Sequence, residues 1–386
     1  MNKPNYNGGS LINLIASIEK ALGKGSKYKP LNKLNPNELK NSKNVVLMLI
    51  DGLGYNFLMK NGKGTVFNEN IRGKMTSVFP SSTSAAIPTL FTGLSPQEHG
   101  MTGWFMYLRE FGAQIIPLPY VPRLKGGSNL GKLTPVKEIF NIKPLSNRLK
   151  VKSCLVQENE ILNSDFTVTS AGKAKRIGYN NLGGYFRAIK KVINSNNQRK
   201  FVFAYYTEHD SLCHKNGSTS KKVLKHFKGL IKKLTLFLKS IKGTNTTVII
   251  TADHGITDVD KSKIINVKDH PKLKETLSML LCGEHRFAYA YVKSSKQKEF
   301  ENYVKNKLKH CCNLYKSDEL LKKGYFGLFD IHKEFKNRIG DYVLVMKDHY
   351  GIYDKPIYQK KVYYHVGDHG GMSDEELYVP LIVIKK

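Results

Sequence analysis

Acidic residues are scarce in this sequence. Asp and Glu number 31 against 62 Lys and Arg, a formal net charge of +31. Such a balance speaks about partners, not fold: nucleic acid, an anionic membrane surface or small anionic substrates. Cysteine is sparse too. Cys154, Cys213, Cys282, Cys311 and Cys312 include no CxxC pair, which excludes a disulfide framework and fits a reducing compartment. No stretch approaches the ~18 apolar residues of a membrane span. Near the N-terminus Leu11, Leu14, Ile15, Ile18 and Leu22 recur at helical spacing, with Asn13 and Glu19 between them. That pattern reads as an amphipathic helix and not as the apolar block of a signal peptide. Internal repeats and low-complexity tracts are absent. The expectation is a soluble, cytoplasmic protein without a membrane partner.

What the chain does have is core-forming material. Hydrophobic residues make up 40% and aromatics 10% of 386 residues, which excludes a disordered chain. Three short runs, Asn44 to Ile50, Phe201 to Tyr206 and Thr247 to Thr251, are apolar on both alternating faces, as strands buried in a parallel sheet are. Lys221 to Ile241 has a helical period, with Leu224, Phe227, Ile231, Leu234, Phe237 and Ile241 on one face and Lys222, Lys225, Lys228, Lys232 and Lys239 largely on the other. Strands alternating with helices predict an α/β fold with helices on both faces of the sheet. A further run, Tyr378 to Ile384, contains Pro380 and is expected at an edge or a strand start. Around 105 to 200 the alternation is broken by turn clusters such as Lys125-Gly126-Gly127-Ser128. Residues 262–345 hold their own runs (Phe287 to Val292, Tyr342 to Met346) and a helical pattern (Gln297 to Leu308). They are expected to form an inserted α+β cap subdomain, leaving 1–261 and 346–386 as the α/β catalytic core.

Chemistry gathers where the buried runs end. Ile50 leads into Asp51, Tyr206 into Asp210 and His214, and Thr251 into Asp253 and His254. Ligands of open α/β sheets bind at the carboxyl ends of the strands. Asp210 and His214 are four apart, so one helical turn places them on one face. A last cluster, His365-Val-Gly-Asp368-His369, lies near the C-terminus. Mixed Asp and His suit zinc or another first-row divalent ion. Any one cluster alone is as well explained by a cap and a surface His; the set is not. A strand over Met75 to Phe79 is expected to run into a helix, with Ser81 to Ser84 at its start, where free N–H groups meet phosphate and a hydroxyl can serve as nucleophile or as a simple N-cap. Pro88 should kink that helix or mark its first turn.

The motifs DGLG from Asp51, FPSSTS from Phe79, TGLSPQEHG from Thr92, EHDSLCH from Glu208, TADHG from Thr251 and GDHGG from Gly367, in this order, resemble the alkaline phosphatase superfamily and within it the type I phosphodiesterase/nucleotide pyrophosphatase family. The resemblance spans roughly 44–110, 200–258 and 360–386. It implies an alkaline-phosphatase-like, mostly parallel central sheet and a hydrolase of phosphodiester or pyrophosphate bonds in small anionic, nucleotide-like substrates. It implies two divalent metals, zinc foremost and manganese as an alternative, one held by Asp210, His214 and His369 and the other by Asp51, Asp253, His254 and the Thr83 hydroxyl. Thr83 would be the nucleophile of a phospho-enzyme intermediate. The chain departs from the family at Ala86, where those enzymes carry an Asn on a phosphate oxygen. The missing donor would come from the helix N–H groups or a basic side chain such as Arg286; Ser82, Ala86 and Arg286 are the substrate-side candidates, and Ser82 and Ser84 would be the nucleophile candidates of a phosphomutase. The departure keeps a phosphomonoesterase or phosphomutase open.

A basic nucleic-acid-binding protein is the alternative of another class. No helix-turn-helix, zinc-finger or RNA-motif signature supports it, so no stable nucleic-acid partner is expected. His99 reads as structural, Cys213 as packing, His209 as facing elsewhere, and His365 and Asp368 as solvated loop. For Trp104 and Phe105, core or lid packing is favoured over stacking on a base.

Overall fold

The computed structural model describes residues 2–124, 129–356 and 363–386; the Lys125 to Ser128 turn cluster lies outside them. Seven strands form the central sheet: β1 (Asn44–Ile50), β2 (Ile71–Thr76), β3 (Lys152–Glu158), β4 (Lys175–Tyr179), β5 (Lys200–Tyr206), β6 (Thr246–Thr251) and β7 (Tyr378–Lys385). Their order is β2-β7-β6-β1-β5-β3-β4. β1 runs parallel to β5 and β6, and β3 parallel to β4 and β5; β7 is antiparallel to both neighbours. β1, β5 and β6 are buried along their whole length, which is why their sequences are apolar on both faces.

Register decides where the chemistry lands. Ile50 lies opposite Tyr206 and Leu49 opposite Thr251, so β1, β5 and β6 end level and release Asp51, the Asp210 segment and Asp253 at one sheet edge. Gly52 turns the chain there at φ +69°; a Cβ on it would lie 2.8 Å from Ile256 and 3.2 Å from Asp210.

The longer helices are α1 (Leu11–Leu22), α2 (Thr83–Thr92), α3 (Leu182–Ile193), α4 (Glu208–Asn216) and α5 (Lys221–Ser240). In α5 Lys222, Lys225, Lys228, Lys232 and Lys239 are exposed and Val223, Phe227, Leu230, Leu234 and Phe237 are buried; Leu224 and Ile231 fall on its flanks, half-buried. Two expectations fail. α1 is not amphipathic: Asn13, Ser17 and Glu19 are buried with its apolar residues. They are tolerated because each is bonded, Asn13 donating to the Tyr6 and Lys29 carbonyls, Ser17 to that of Leu34, and Glu19 pairing with Arg148 at 2.6 Å. The strand expected over Met75 to Phe79 lies earlier, at Ile71–Thr76, because after Ser77, whose N–H still bonds the Leu377 carbonyl, the chain leaves the sheet and Val78 and Phe79 pack in the core on the way to α2. Pro380 is not on an outer strand. β7 pairs with β2 over Tyr378 to Ile382 and with β6 only from Ile382 on, so at Pro380 it is bonded on one side alone.

Within 262–345 a second sheet forms from Cys282–Gly283, Phe287–Ala290, Tyr342–Met346 and Cys312–Lys316, antiparallel throughout. Gly283 pairs with Phe105, 3.0 and 2.7 Å in the two directions, and this contact brings Glu284 and His285 to the edge of the central sheet.

Candidate active site

Asp51, Thr83, Asp210, His214 and His369 line one cavity of about 950 Å³, and Asp253 and His254 lie against it. Thr83 is the first residue of α2; the Ser82 side chain caps the helix by accepting from Ser84 N at 3.3 Å. Thr83 Oγ1 is 3.0 Å from His254 Nε2. That nitrogen is 3.4 Å from both Asp51 Oδ1 and Asp253 Oδ2. His254 Nδ1 donates to the Gly255 carbonyl, 3.0 Å away, which fixes the ring. On the other side His214 Nε2 is 3.1 Å from Asp210 Oδ2, and His369 Nε2 is 3.9 Å from Asp210 Oδ1. His214 Nδ1 is held by the Gly367 carbonyl at 2.7 Å. The His254 and His369 rings stack at 3.7 Å and join the two halves.

Three carboxylates this close cannot all ionise freely. Burial, then Asp253 and Asp210, push the Asp51 carboxyl well above its usual range, and burial pushes up Asp253. Burial works against the His214 imidazolium, but Asp210 outweighs it and takes the group up to about 10. Burial likewise opposes the Asp210 charge, and His214 overrides it and holds that carboxyl low. Asp51 Oδ1, Asp210 Oδ1, Asp253 Oδ2 and His369 Nδ1 are buried with no hydrogen-bond partner. Orphaned oxygens and imidazoles that converge in this way fit divalent cations, which would replace the missing protons and partners. Asp210, His214 and His369 bring their ligand atoms within 4.8 Å of one another, as do Asp51, Asp210 and His254.

The substrate-side expectations fare differently. Arg286 does not reach the cavity. It is fully buried, with Nη2 3.0 Å and Nε 3.2 Å from the Glu376 carboxylate, and it donates to the Lys347 and Tyr350 carbonyls. The Ser82 hydroxyl is committed as well, donating to Glu284 Oε1, which also accepts from Trp104 N at 2.9 Å. Ala86 is buried in α2 and offers nothing polar.

Asp368 and His365 are not solvated loop. Asp368 is 2% exposed and pairs with His285 at 3.1 Å and with His365 at 3.5 Å. Cys213 packs against Val223 and Ile256, and His209 turns to Phe57. His99 is buried, its Nε2 3.2 Å from Ala85 O and from Thr89 Oγ1, bracing α2. Trp104 and Phe105 line the cavity, with the Arg123 guanidinium 4.0 Å from the Phe105 ring centroid. Sequence reasoning overlooked Tyr205, whose hydroxyl donates to Asp51 Oδ2, and Glu284 and His285. Their signal was the Gly-Glu-His-Arg stretch after a short run, where attention went to the arginine.

The profile of the type I phosphodiesterase / nucleotide pyrophosphatase family matches residues 45–372, most of the chain. The chain belongs to this family. A member of it from Homo sapiens, bis(5'-adenosyl)-triphosphatase ENPP4, is 29% identical over 190 residues, a match covering 46% of this chain and 36% of that protein. Among solved structures, murine ectonucleotide pyrophosphatase / phosphodiesterase 5 superposes with a TM-score of 0.62 at 19% identity, covering 87% of each chain. An inactive variant of that murine protein, solved in complex with AMP, gives 0.63 at 18% and again 87% of each chain. Phosphonoacetate hydrolase from Sinorhizobium meliloti 1021, solved with phosphonoformate, gives 0.64 at 17%, covering 88% of this chain and 89% of that one. These structural likenesses establish the alkaline-phosphatase-like fold.

Proposed function

We propose that this type I phosphodiesterase / nucleotide pyrophosphatase family member hydrolyses phosphodiester or pyrophosphate bonds of small nucleotide-like substrates, with Thr83 as nucleophile and two divalent metals, zinc or manganese, as cofactors. The observation that carries the reading is Thr83 Oγ1 at 3.0 Å from His254 Nε2, at the head of a helix and beside the unpartnered Asp51 and Asp253 oxygens. Asp210, His214 and His369 would hold one ion, and Asp51, Asp253, His254 and Thr83 the other. Bound there, the ions would supply positive charge to the attacking and leaving oxygens and favour the ionised Thr83 hydroxyl.

The chain's own groups do the rest. At the head of α2 the Thr83 N–H would meet the phosphate, the Ser84 and Ala85 N–H groups being taken by Ser82. Ser82, capping that helix, fixes where Thr83 starts. The Thr83 oxygen bonds to phosphorus, its proton passes to solvent, and the leaving oxygen departs with the electron pair of the broken P–O bond. Water then releases the phosphoryl group from Thr83. Residues 262–345 serve as a cap that closes one side of the cavity through Glu284 and His285.

Ala86 leaves the diester-to-monoester preference to be measured. The test is a nitrophenyl diester and a nitrophenyl monoester assayed with and without chelator, on wild type and Thr83→Ala. We expect chelation and Thr83→Ala each to remove activity, by at least about 1,000-fold for the variant, since loss of a covalent nucleophile is of that order or larger. Full activity in Thr83→Ala, or indifference to chelator, would sink the proposal.

A further inference from the structure

Eight large apolar side chains are well exposed among the described residues, and three of them fall within four positions: Leu328 at 40%, Phe329 at 41% and Ile331 at 50%. They sit on a loop of the cap, residues 327–332, that is tied down from behind. Gln97 belongs to the TGLSPQEHG motif, which the proposed chemistry leaves unused. Its backbone N–H donates to the Phe326 carbonyl at 3.1 Å and its side-chain amide to that of Phe329 at 2.7 Å, while its own carbonyl accepts from His332 N at 2.7 Å. The Tyr28 hydroxyl accepts from Leu328 N at 3.3 Å, and its ring meets Phe329 edge to face, 4.8 Å between centroids. Gly327, at φ +149°, lets the chain pass against Ser95, where a Cβ would lie 2.0 Å from Oγ. A backbone held at this many points presents the three side chains outward by construction.

Cations ring this apolar tip. The short helix Ser317–Lys322 leads into the loop and ends in Lys322 and Lys323. Lys3 donates to the Lys323 carbonyl, and a Cβ on Gly324 would lie 3.5 Å from Lys3 Nζ and 3.7 Å from Leu328 Cδ2. Lys27 and Lys143 lie about Asp330, and Lys333 follows Ile331 by two positions. All six lysines are exposed. The acids among them are Asp330, paired with Lys27, and Glu334, which accepts from Asn337 Nδ2 at 2.8 Å, so the rim stays positive. An apolar tip with a basic rim suits an anionic bilayer: the apolar side chains enter the acyl boundary while ammonium groups meet the lipid headgroups. Nucleic acid would use the lysines but not Leu328 and Ile331, and stacking on bases would find Phe329 alone. A second copy of the chain would set two lysine rims face to face. Three side chains are also few against the ~800 Å² per partner of a stable protein interface.

We propose that residues 327–332 and their lysine rim seat the protein on an anionic phospholipid surface, with Leu328, Phe329 and Ile331 entering the interface. No helix among the described residues is long and apolar enough to cross a membrane, and a seat of this kind needs none. The loop packs on Ser95 and Gln97, just beyond the C-terminal end of α2 and so at the end away from Thr83. None of its residues lines the cavity. The seat therefore stands or falls independently of the hydrolase reading.

The experiment floats the full chain with vesicles of phosphatidylcholine alone or mixed with phosphatidylserine. Wild type should bind the mixed vesicles at least about 10-fold more tightly, since each lysine at such a surface adds about fivefold. High salt should shrink that preference. Replacing the apolar tip, Leu328→Ser with Ile331→Ser, should weaken binding to mixed vesicles by about 10-fold or more. Lys322→Glu with Lys323→Glu should weaken it by at least as much. The same charge change on another face, Lys225→Glu with Lys228→Glu on α5, should leave it within about twofold, being beyond the screening length of the seat. An equal loss in the α5 variant would mean adsorption by net charge alone and would overturn the seat. So would unchanged binding without Leu328 and Ile331, or equal binding to both kinds of vesicle. Phe329→Trp decides the matter even if the paired variants do not fold. Its emission should shift to the blue on mixed vesicles and not on neutral ones, and a fluorophore that stays in water on both would rule the seat out.

Discussion

At the scale of the residue, two buried charged groups set the clearest expectations. Arg286 and Glu376 are both fully buried and face each other, and the Glu376 carboxylate also accepts from Gly371 N at 2.8 Å and Ser373 Oγ at 2.7 Å. Arg286→Met would strand that carboxylate without its counter-charge. Denaturant unfolding should show a loss of about 3–5 kcal/mol. A variant of wild-type stability with a raised KM would instead return Arg286 to the substrate. Glu284 is the second group. Burial pushes its carboxyl up to about 8, with Asp368 adding to the effect and Ser82 opposing it. The folded protein then holds a proton that the unfolded chain has lost. That stability is complete below the ordinary carboxylate pKa and is lost as pH rises through about 8. Thermal unfolding of metal-free protein should therefore drop between pH 6 and pH 9, and Glu284→Gln should lessen the drop. His214 contributes with the same sign, since its raised pKa also favours the protonated fold, so the variant will not abolish it. An equal drop in both proteins would count against a protonated Glu284. Asp51, Asp210, His214, Asp253 and His254 were legible as candidates because each follows a buried run whose end is fixed by sheet register, whereas His369 follows no such run and was named only through the resemblance. The Arg286–Glu376 pair and the Asp368–His285 contact were not, because they join residues 90 and 83 positions apart.

At the scale of the element, β1, β5, β6 and α5 were readable because burial on two faces, or on one stripe, writes a simple period into the sequence. α1 was misread because period alone does not tell a solvated polar residue from a buried one with partners. Glu19 is 2% exposed and takes both Nε and Nη2 of Arg148, whose Nη2 also donates to the Thr92 carbonyl at the end of α2. This contact ties the first helix to the one that carries Thr83. Glu19→Ala should cost about 1–3 kcal/mol, read by chemical denaturation. A neutral result would show that solvent replaces the carboxylate freely. The end of β2 was misplaced for a related reason: Val78 and Phe79 are apolar because they are core, but they pack after the strand has ended.

At the scale of the whole molecule, the proposed ligands come from segments spread between Asp51 and His369, so cation binding and folding should be linked. Zinc or manganese added to chelated protein should raise the unfolding temperature, by the equivalent of about 2.7 kcal/mol at a hundredfold excess over Kd. Uptake at neutral pH should release protons, His214 among their sources, seen as a buffer dependence of the calorimetric heat. No proton release and no thermal shift would contradict a metal site here. The excess of basic residues was readable from composition but was ambiguous until the cavity showed its own carboxylates. The central sheet also has a consequence in time. β7 lies between β2, which leads to Thr83, and β6, which leads to Asp253 and His254, and it bonds to both. During synthesis Thr83, Asp253 and His254 emerge well before the strand that bridges their sheet neighbours. Their final spacing is therefore set only when residues 378–385 dock between β2 and β6, which makes assembly of the cavity a late step of folding.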